Sequence, residues 1–516
     1  MDIGIIWFKK DLRIQDHAPL HFASQSNLNL IPLYIVETDY WTQPYASKRQ
    51  WHFIHDSLLE LNLALKNLGQ PLIIKVRKNA KDAIQEIHKQ TPIQKIFAHE
   101  ETGNHWTYQR DLEVQHFCKA QKIQFLEYPT NGIVRKLKNR DHWQKIRQSR
   151  LATPLVETPK KIKPVSNQKS DTIPDKNSPY FKDSYMTNVQ KGGRIEAERI
   201  LNSFLGFRAK EYLYHISKPQ KSETHCSRLS PFLANGVISL KEVLTKTSRH
   251  LENLDPENKK VVARSLAAFK SRLSWRDHFI QKLEDQPEIE YRCMHPYFEK
   301  MRPKEIDEKK LEAWKNGMTG YPLIDACMRS LNSQGWVTFR MRAMLVSFAS
   351  YHLWLDWRVT GKHLAAMFTD YEPGIHYSQL QMQSGTTGIN AIRMYNPIKQ
   401  SQEHDPDGKF IKKWVKELEN IPTEYIHTPW LLPPLLQQEL AFTLDKHYPK
   451  PIVDHETAIK HARSKISEIR KQFDFSNTAH SVFKKLGSRK TAAGRKKAKQ
   501  TNKKDKNQLS LDFDED

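Results

Sequence analysis

The chain has 516 residues, a length for two or three domains, and its 82 Lys and Arg against 58 Asp and Glu leave a formal net charge of +24. Twelve Trp, 22 Phe and 18 Tyr can build a large core, which excludes disorder over most of the chain, and no apolar run reaches the roughly eighteen residues of a membrane span. The start, MDIGIIWFKKDLR, has no basic leader or small-residue cleavage site, and the four Cys (Cys118, Cys226, Cys293, Cys327) are far apart, so we expect a cytoplasmic monomer without disulfides or a metal, whose polyanionic partner is nucleic acid.

Residues 1–130 read as α/β. Apolar, β-prone runs recur at Ile3–Phe8, Leu30–Val36, Leu72–Val76, Lys95–His99 and Ile123–Tyr128, with amphipathic segments such as Gln50–Leu68 between them. That alternation predicts a doubly wound parallel sheet, and the lack of GxGxxG after the first strand disfavours a dinucleotide site of the usual kind. Residues 131–195 are polar and rich in Lys, Pro and Ser, the composition of a linker draped over the surface. From 196 to 475 the signals are almost all helical, without a repeat period. Trp336–Arg358 is apolar nearly all round and reads as one buried helix. Residues 484–516 read as a disordered tail, with eleven basic residues and one acid between Lys484 and Lys506 and four acids in the last five positions.

Two places carry chemistry on their own terms. Arg342 lies in that apolar helix, where a guanidinium is costly unless it meets an acid or a ligand. His225-Cys226-Ser227-Arg228-Leu229-Ser230-Pro231 reads as a helix start beside an Arg, which suits a pyrophosphate or serves as a plain N-cap.

Taken in order, several motifs resemble the cryptochrome/photolyase family of blue-light flavoproteins. Trp7–Leu20 looks like its opening strand and turn, Ser227–Pro231 like its flavin pyrophosphate loop, and Ser274-Trp275-Arg276-Asp277-His278-Phe279 like its Trp-Arg helix. Gly320–Ala326, Gly335-Trp336, Asp356-Trp357-Arg358, Asn396-Pro397 and Asp405–Ile411 with Trp414 follow. The resemblance implies an α/β antenna domain, a linker and an all-helical domain that holds FAD. It implies that Tyr214, Ser227, Arg228, Leu229 and Ser230 hold the phosphates and ribose, and that Arg276, Trp336 and Arg342 line the flavin. It also implies that Asp370-Tyr371-Glu372 stands for the family's D-x-D, which would supply the acid that Arg342 needs.

The departures lie at the repair site. Arg272 stands where cyclobutane-dimer photolyases have a Glu, Phe339 where they have an Asn, and Ala343 where they have a Met. The His pair of the (6-4) enzymes would fall near Thr338 and Phe339 and is absent, while Trp275, the platform for a flipped lesion, is kept. Of the electron-transfer Trp chain, Trp357 matches the middle member, but His376–Leu380 has no Trp at the flavin-proximal position and none lies near Lys304. One register puts Gly374 beside the flavin N5, another His376. Trp354, Tyr351 and Tyr377 are substitutes for relay, or plain core.

The resemblance favours a deoxyribodipyrimidine photolyase-type lyase, with Trp275, Arg272, His376 and Trp357 in catalysis and with Arg272 and Trp275 on the DNA. The alternative is a cryptochrome-type photoreceptor that binds FAD and DNA without repair, and a flavin-free nucleic-acid binder is a third. A second, antenna chromophore of unknown type is expected in the N-terminal domain, where His99–Asn104 forms a polar cluster at a strand end. Separately, Gln508-Leu509-Ser510-Leu511-Asp512-Phe513 resembles the hexapeptide by which bacterial repair proteins dock on the DNA sliding clamp, with Gln508, Leu511 and Phe513 as anchors. The basic stretch before it would be a tether of ~30 Å root-mean-square span for about 25–35 residues.

Overall fold

Five strands, β1 (Ile3–Phe8), β2 (Asn29–Glu37), β3 (Ile73–Arg77), β4 (Ile93–His99) and β5 (Gln124–Tyr128), pair in parallel in the order β3-β2-β1-β4-β5. The architecture is that of a computed structural model, which describes residues 2–130, 132–182 and 186–489. The central strand β1 is buried along its whole length, as a strand covered on both faces must be. Its side chains alternate. Ile3, Ile5 and Trp7 join Ala83, Ile84 and Ile87 of α3 (Ala80–Gln90) and Val114 of α4 (His105–Ala120) on one face. Ile6 and Phe8 join Leu20 of α1 (Ala18–Ser24) and Leu58, Leu61 and Leu65 of α2 (Lys48–Asn67) on the other. That second core runs without a break into the helical half of the molecule. Helix α2 starts where Ser47 and Gln50 close a capping box, which fixes its entry into this core.

The segment between the two halves has few elements but many anchors. It carries α5 (Trp143–Ala152). Ile162 N–H donates to Leu68 O (2.8 Å), the Trp51 indole donates to Pro174 O (3.3 Å), and Phe181 stacks on Trp51 at 4.4 Å. These contacts hold it along α2.

The helices that matter for the site are α6 (Arg194–Gly206), α7 (Tyr212–His215), α8 (Pro219–His225), α9 (Ser230–Ala234), α10 (Pro256–Asp285), α11 (Phe339–Ser347), α12 (Trp357–Met367), α13 (Pro373–Ser384), α14 (His455–Arg470) and α15 (Phe475–Leu486). None among the described residues is long and apolar enough to cross a membrane.

Two expectations need correction. Trp336–Arg358 is not one helix. The chain reaches α11 through Thr338, whose side chain caps it, and then makes a π-helical turn at Phe348–His352. Trp354 takes φ +57, and the chain restarts at α12, where the Asp356 carboxylate accepts the Arg358 N–H at 2.8 Å. Apolar character all round reflects burial of every piece, not continuity of one helix. The tail also begins later than Lys484. Helix α15 runs to Leu486, which is fully buried against Leu283, Ile289 and Met294, and Arg489 pairs with Asp141 at 2.7 Å. Gln508, Leu511 and Phe513 lie outside the described residues.

Candidate functional site

A cavity of about 380 Å³ opens in the helical half. Helix α10 gives it Phe269, Arg272, Leu273, Trp275, Arg276 and Phe279, mostly at the three- and four-residue steps that share one face. Helix α13 gives Ile375, His376, Gln379, Leu380 and Gln383 by the same rule. Helix α11 contributes Phe339, Arg340, Arg342 and Ala343.

The charge in the apolar helix finds its acid. Arg342 donates from Nη1 and Nη2 to Asp370 Oδ1 and Oδ2 at 3.0 and 2.8 Å, and from Nε to Val337 O at 2.9 Å. The fork is planar and two-pronged, and its guanidinium carbon lies 4.1 Å from the Phe368 ring centroid. Glu372 goes instead to Arg276, 3.3 Å from its Nη2, while the Nη1 of Arg276 lies 3.4 Å from Asp277. Burial pushes both the Glu372 and Asp277 carboxyls up from the usual carboxylate range.

At another wall the chain is strained. Arg228 has φ +58, a left-handed conformation that a residue with a Cβ adopts only at a cost. It lays its guanidinium 3.9 Å from the Trp336 ring centroid and reaches Gln190 at 3.4 Å, yet its Nη1 is buried with no hydrogen-bond partner. Burial pulls its pKa down to about 10. Ser227 and Ser230 line the cavity beside it, while Leu229 is buried in the core.

Trp275 lies against Phe279 with ring centroids 5.6 Å apart and lines the cavity together with Arg272. Arg272 hydrogen-bonds to the Tyr212 phenol, so it faces the cavity without being unpartnered. Tyr214 is not part of the wall. It is 68% exposed, and Tyr212, on the other side of the one-turn helix α7, is the one of the two that lines the cavity. Counting upstream from the Ser-Arg-Leu-Ser motif lands on Tyr214. The signal for Tyr212 was its apolar environment, since it packs on Phe204 and Phe269.

His376, not Gly374, is on the wall. A Cβ on Gly374 would come within 2.5 Å of the Ile280 Cα, so this glycine lets α13 press against α10. His376 Nε2 lies 2.9 Å from Gly361 O, and since a carbonyl only accepts, that nitrogen carries the proton and Nδ1 keeps its lone pair. Burial lowers the imidazole to about 4, so it is neutral at pH 7. Trp357 opens α12 fully buried and does not line the cavity. Of His376–Leu380, which has no Trp, His376, Gln379 and Leu380 reach the wall. Tyr377 hydrogen-bonds to Tyr371 (3.1 Å), and Tyr371 also lines the cavity.

This set fits an FAD. The unpartnered Arg228 Nη1 and Gln379 Nε2 are donors awaiting acceptors, serines flank the Arg, and Phe339, Trp336 and Phe368 offer flat apolar surface around the Arg342–Asp370 pair. Phe339, Gln379 and Gln383 were not singled out as binding residues from the sequence. Only helical register, known once α11 and α13 are placed, puts them on this face.

Residues 4–146 match the DNA photolyase family, and residues 269–468 match the FAD binding domain of DNA photolyase. Together these stretches take in most of the chain. It belongs to the cryptochrome/photolyase family. Cryptochrome DASH of Synechocystis is 27% identical over 90% of this chain and 98% of that protein, and a deoxyribodipyrimidine photo-lyase of Agrobacterium fabrum is 28% identical over the same shares. A solved archaeal photolyase from Sulfolobus tokodaii, with two FAD molecules, superposes with a TM-score of 0.73 at 26% identity, covering 91% of this chain and 100% of that one. The photolyase-type domain of this chain therefore has its FAD-binding half in the helices just described.

In the N-terminal half, strand order reverses between β1 and β4, and a crevice lies at the carboxyl ends of β1, β2 and β4. The polar cluster His99–Asn104 lies there, but much of it is spoken for. His99 Nδ1 meets Asp11 at 2.7 Å, Glu101 pairs with Arg110 at 2.7 Å, the Thr102 hydroxyl donates to Glu284 at 2.7 Å, and Asn104 caps α4. A smaller cavity of about 80 Å³ remains beside it, lined by Trp7, Tyr34, Glu37, Tyr40, Arg110 and Tyr371 among others.

Proposed function

We propose that this chain is a light-driven flavoenzyme that repairs pyrimidine photolesions in DNA. The observation that carries the reading is the pairing of Trp275 and Arg272 on one face of α10, in the same cavity as the Arg342–Asp370 fork. Arg228, Ser227 and Ser230 would hold the cofactor's pyrophosphate. Arg276, Trp336, Arg342, Asp370 and Glu372 would hold the rest of it, and Tyr212 takes the place expected of Tyr214. When bound, FAD supplies a light-driven electron donor. The residues of the chain do the remainder. Trp275 stacks an unpaired base, whose extrusion costs a few kcal/mol and least for a damaged one. Arg272 donates hydrogen bonds to a phosphate or to a lesion carbonyl. The neutral His376 holds a proton acceptor, Nδ1, at the wall and has no second proton to give at pH 7. The basic body gathers DNA phosphates.

Arg272, Phe339 and Ala343, each unlike the residue of cyclobutane-dimer enzymes, support the second reading, a photoreceptor without repair. In either case an antenna chromophore that opened the small cavity at Trp7, Tyr34 and Tyr40 would lie close to the flavin, since Tyr371 belongs to its wall and to the larger cavity's wall. The test is illumination of the purified yellow protein with oligonucleotides that carry a cyclobutane or a (6-4) lesion. Light-dependent loss of one lesion supports repair, and persistence of both with flavin bound supports the receptor.

A further inference from the structure

Two clusters of His and carboxylate among the described residues bring three ligand atoms within 4.8 Å of one another. One explains itself. In Asp11–His17–His99 the Nδ1 of His17 accepts the Leu20 N–H at 3.1 Å, so its Nε2 donates to Asp11 at 2.9 Å, and the group is a closed hydrogen-bond network.

The other cluster does not close. Glu211 lies at the turn that leads into α7, His215 ends α7, and His225 ends α8. Glu211 Oε2 is 3.0 Å from His215 Nε2 and 3.0 Å from His225 Nε2. The Nδ1 of His225 is 2.9 Å from Lys221 O, which can only accept, so the proton sits on Nδ1. The Thr224 hydroxyl donates to the same carbonyl at 3.1 Å and accepts from that ring nitrogen. With its one proton on Nδ1, a neutral His225 turns the lone pair of Nε2 to a carboxylate oxygen at 3.0 Å, a gap that a second ring proton or a cation fills. His215 turns a second imidazole nitrogen to the same oxygen, with ring centroids 4.6 Å apart, and its buried Nδ1 has no partner.

We propose that Glu211, His215 and His225 form a site for a divalent transition ion of the zinc class. Two imidazoles and one carboxylate are a zinc donor set, and a backbone carbonyl that holds the far ring N–H is the usual way to fix the ligating tautomer. Bonds of about 2.1 Å in a tetrahedron put ligand atoms about 3.4 Å apart. The Glu211 side chain is 59% exposed and has the freedom to open the present spacing by that amount. The imidazoles are 17% and 24% exposed, so water can take the fourth position. His225 directly precedes Cys226, Ser227 and Arg228, so the ion would tie the ends of α7 and α8 together behind that wall of the cavity. The inference rests on these three side chains and not on the flavin reading.

The experiment is calorimetric titration of ZnCl2 into the chelator-stripped, full-length flavin-loaded protein, with zinc-edge absorption on the product. We expect one tight zinc per chain, an edge spectrum with imidazole scattering, and a loss of affinity in His215→Ala and His225→Ala at least as large as the roughly 10–100-fold that outer partners of a metal ligand are worth. No zinc uptake by the wild type means that a proton fills the gap and overturns the site. Equal uptake by the His215→Ala/His225→Ala double variant overturns it too. If a variant fails to fold, a wild-type edge spectrum without imidazole scattering has the same force.

Discussion

Removing Arg342 tests the core of the site. In Arg342→Ala the two hydrogen bonds to Asp370 and the one to Val337 O disappear, and the Asp370 carboxylate, 3% exposed, is left without its counter-charge. Loss of one partner of a buried pair costs about 3–5 kcal/mol, and because the Arg342 side chain is 24% exposed the lower end, about 3 kcal/mol, is the better expectation. With a urea dependence of about 3 kcal/mol per molar for a domain this large, the unfolding midpoint should fall by about 1 M. Tryptophan fluorescence follows unfolding, and the ratio of flavin to protein absorbance after gel filtration follows occupancy. Both should fall in Arg342→Ala. Part of the stability should return in Arg342→Ala/Asp370→Asn, where no charge is stranded, with a coupling between the sites on the order of 1–3 kcal/mol. A single variant with the wild-type midpoint and full flavin would refute the view that this pair holds the cavity together.

Arg272→Ala should weaken DNA binding and reduce the slope of log affinity against log salt by about one, as loss of a single phosphate contact does. Unchanged affinity and slope in a filter-binding or anisotropy series would leave Arg272 as a partner of Tyr212 alone. Burial lowers His99 and His352 to about 3 and His376 to about 4, while it raises Glu37 to about 7. Between about pH 6.5 and 4.5 the unfolded chain takes up three protons that those folded histidines refuse, and the folded Glu37 holds one that the unfolded chain releases. Stability should therefore fall on acidification, and these four groups by themselves contribute about 3 kcal/mol per pH unit for a net two protons. Urea midpoints that stay level or rise from pH 6.5 to 5 would contradict that assignment. A peptide of residues 505–516 should bind purified bacterial sliding clamp, and its variant with Gln508, Leu511 and Phe513 changed to Ala should not. Equal binding of the two at high micromolar clamp would reduce the tail to an electrostatic arm.

The β/α alternation of the first 130 residues was legible chiefly because the inner strands β1 and β2 are buried on both faces and read as nearly unbroken apolar runs, whereas the edge strand β5 is only partly buried. Ile3–Phe8 is recovered to the residue. Arg342 and its acid were legible for an energetic reason, since a guanidinium among apolar residues has few stable solutions. The break inside Trp336–Arg358 was not, because apolar residues fill the helix, the π-helical turn and the bend alike, and only Asp356 in its capping position marks the restart. Tyr212 was missed in favour of Tyr214 because a motif fixes distance along the chain, whereas a single helical turn decides which of two nearby tyrosines faces in. The register that puts His376 on the wall needed the packing of Gly374 on Ile280, a contact between helices that no local pattern encodes.

Helix α15 sets a leash. Leu486 is fixed beneath the end of α10, and Arg489 is tied to Asp141, so whatever the chain does beyond that point starts from a defined place on the body. From Arg489 to Gln508, even a fully extended chain covers at most about 65 Å. Measured along duplex DNA at about 3.4 Å per base pair, that is about 19 base pairs. A ring that holds the hexapeptide while encircling DNA would then confine the body's search to about two turns of duplex on either side of it. A body held so close would sample the duplex beside the ring without three-dimensional diffusion.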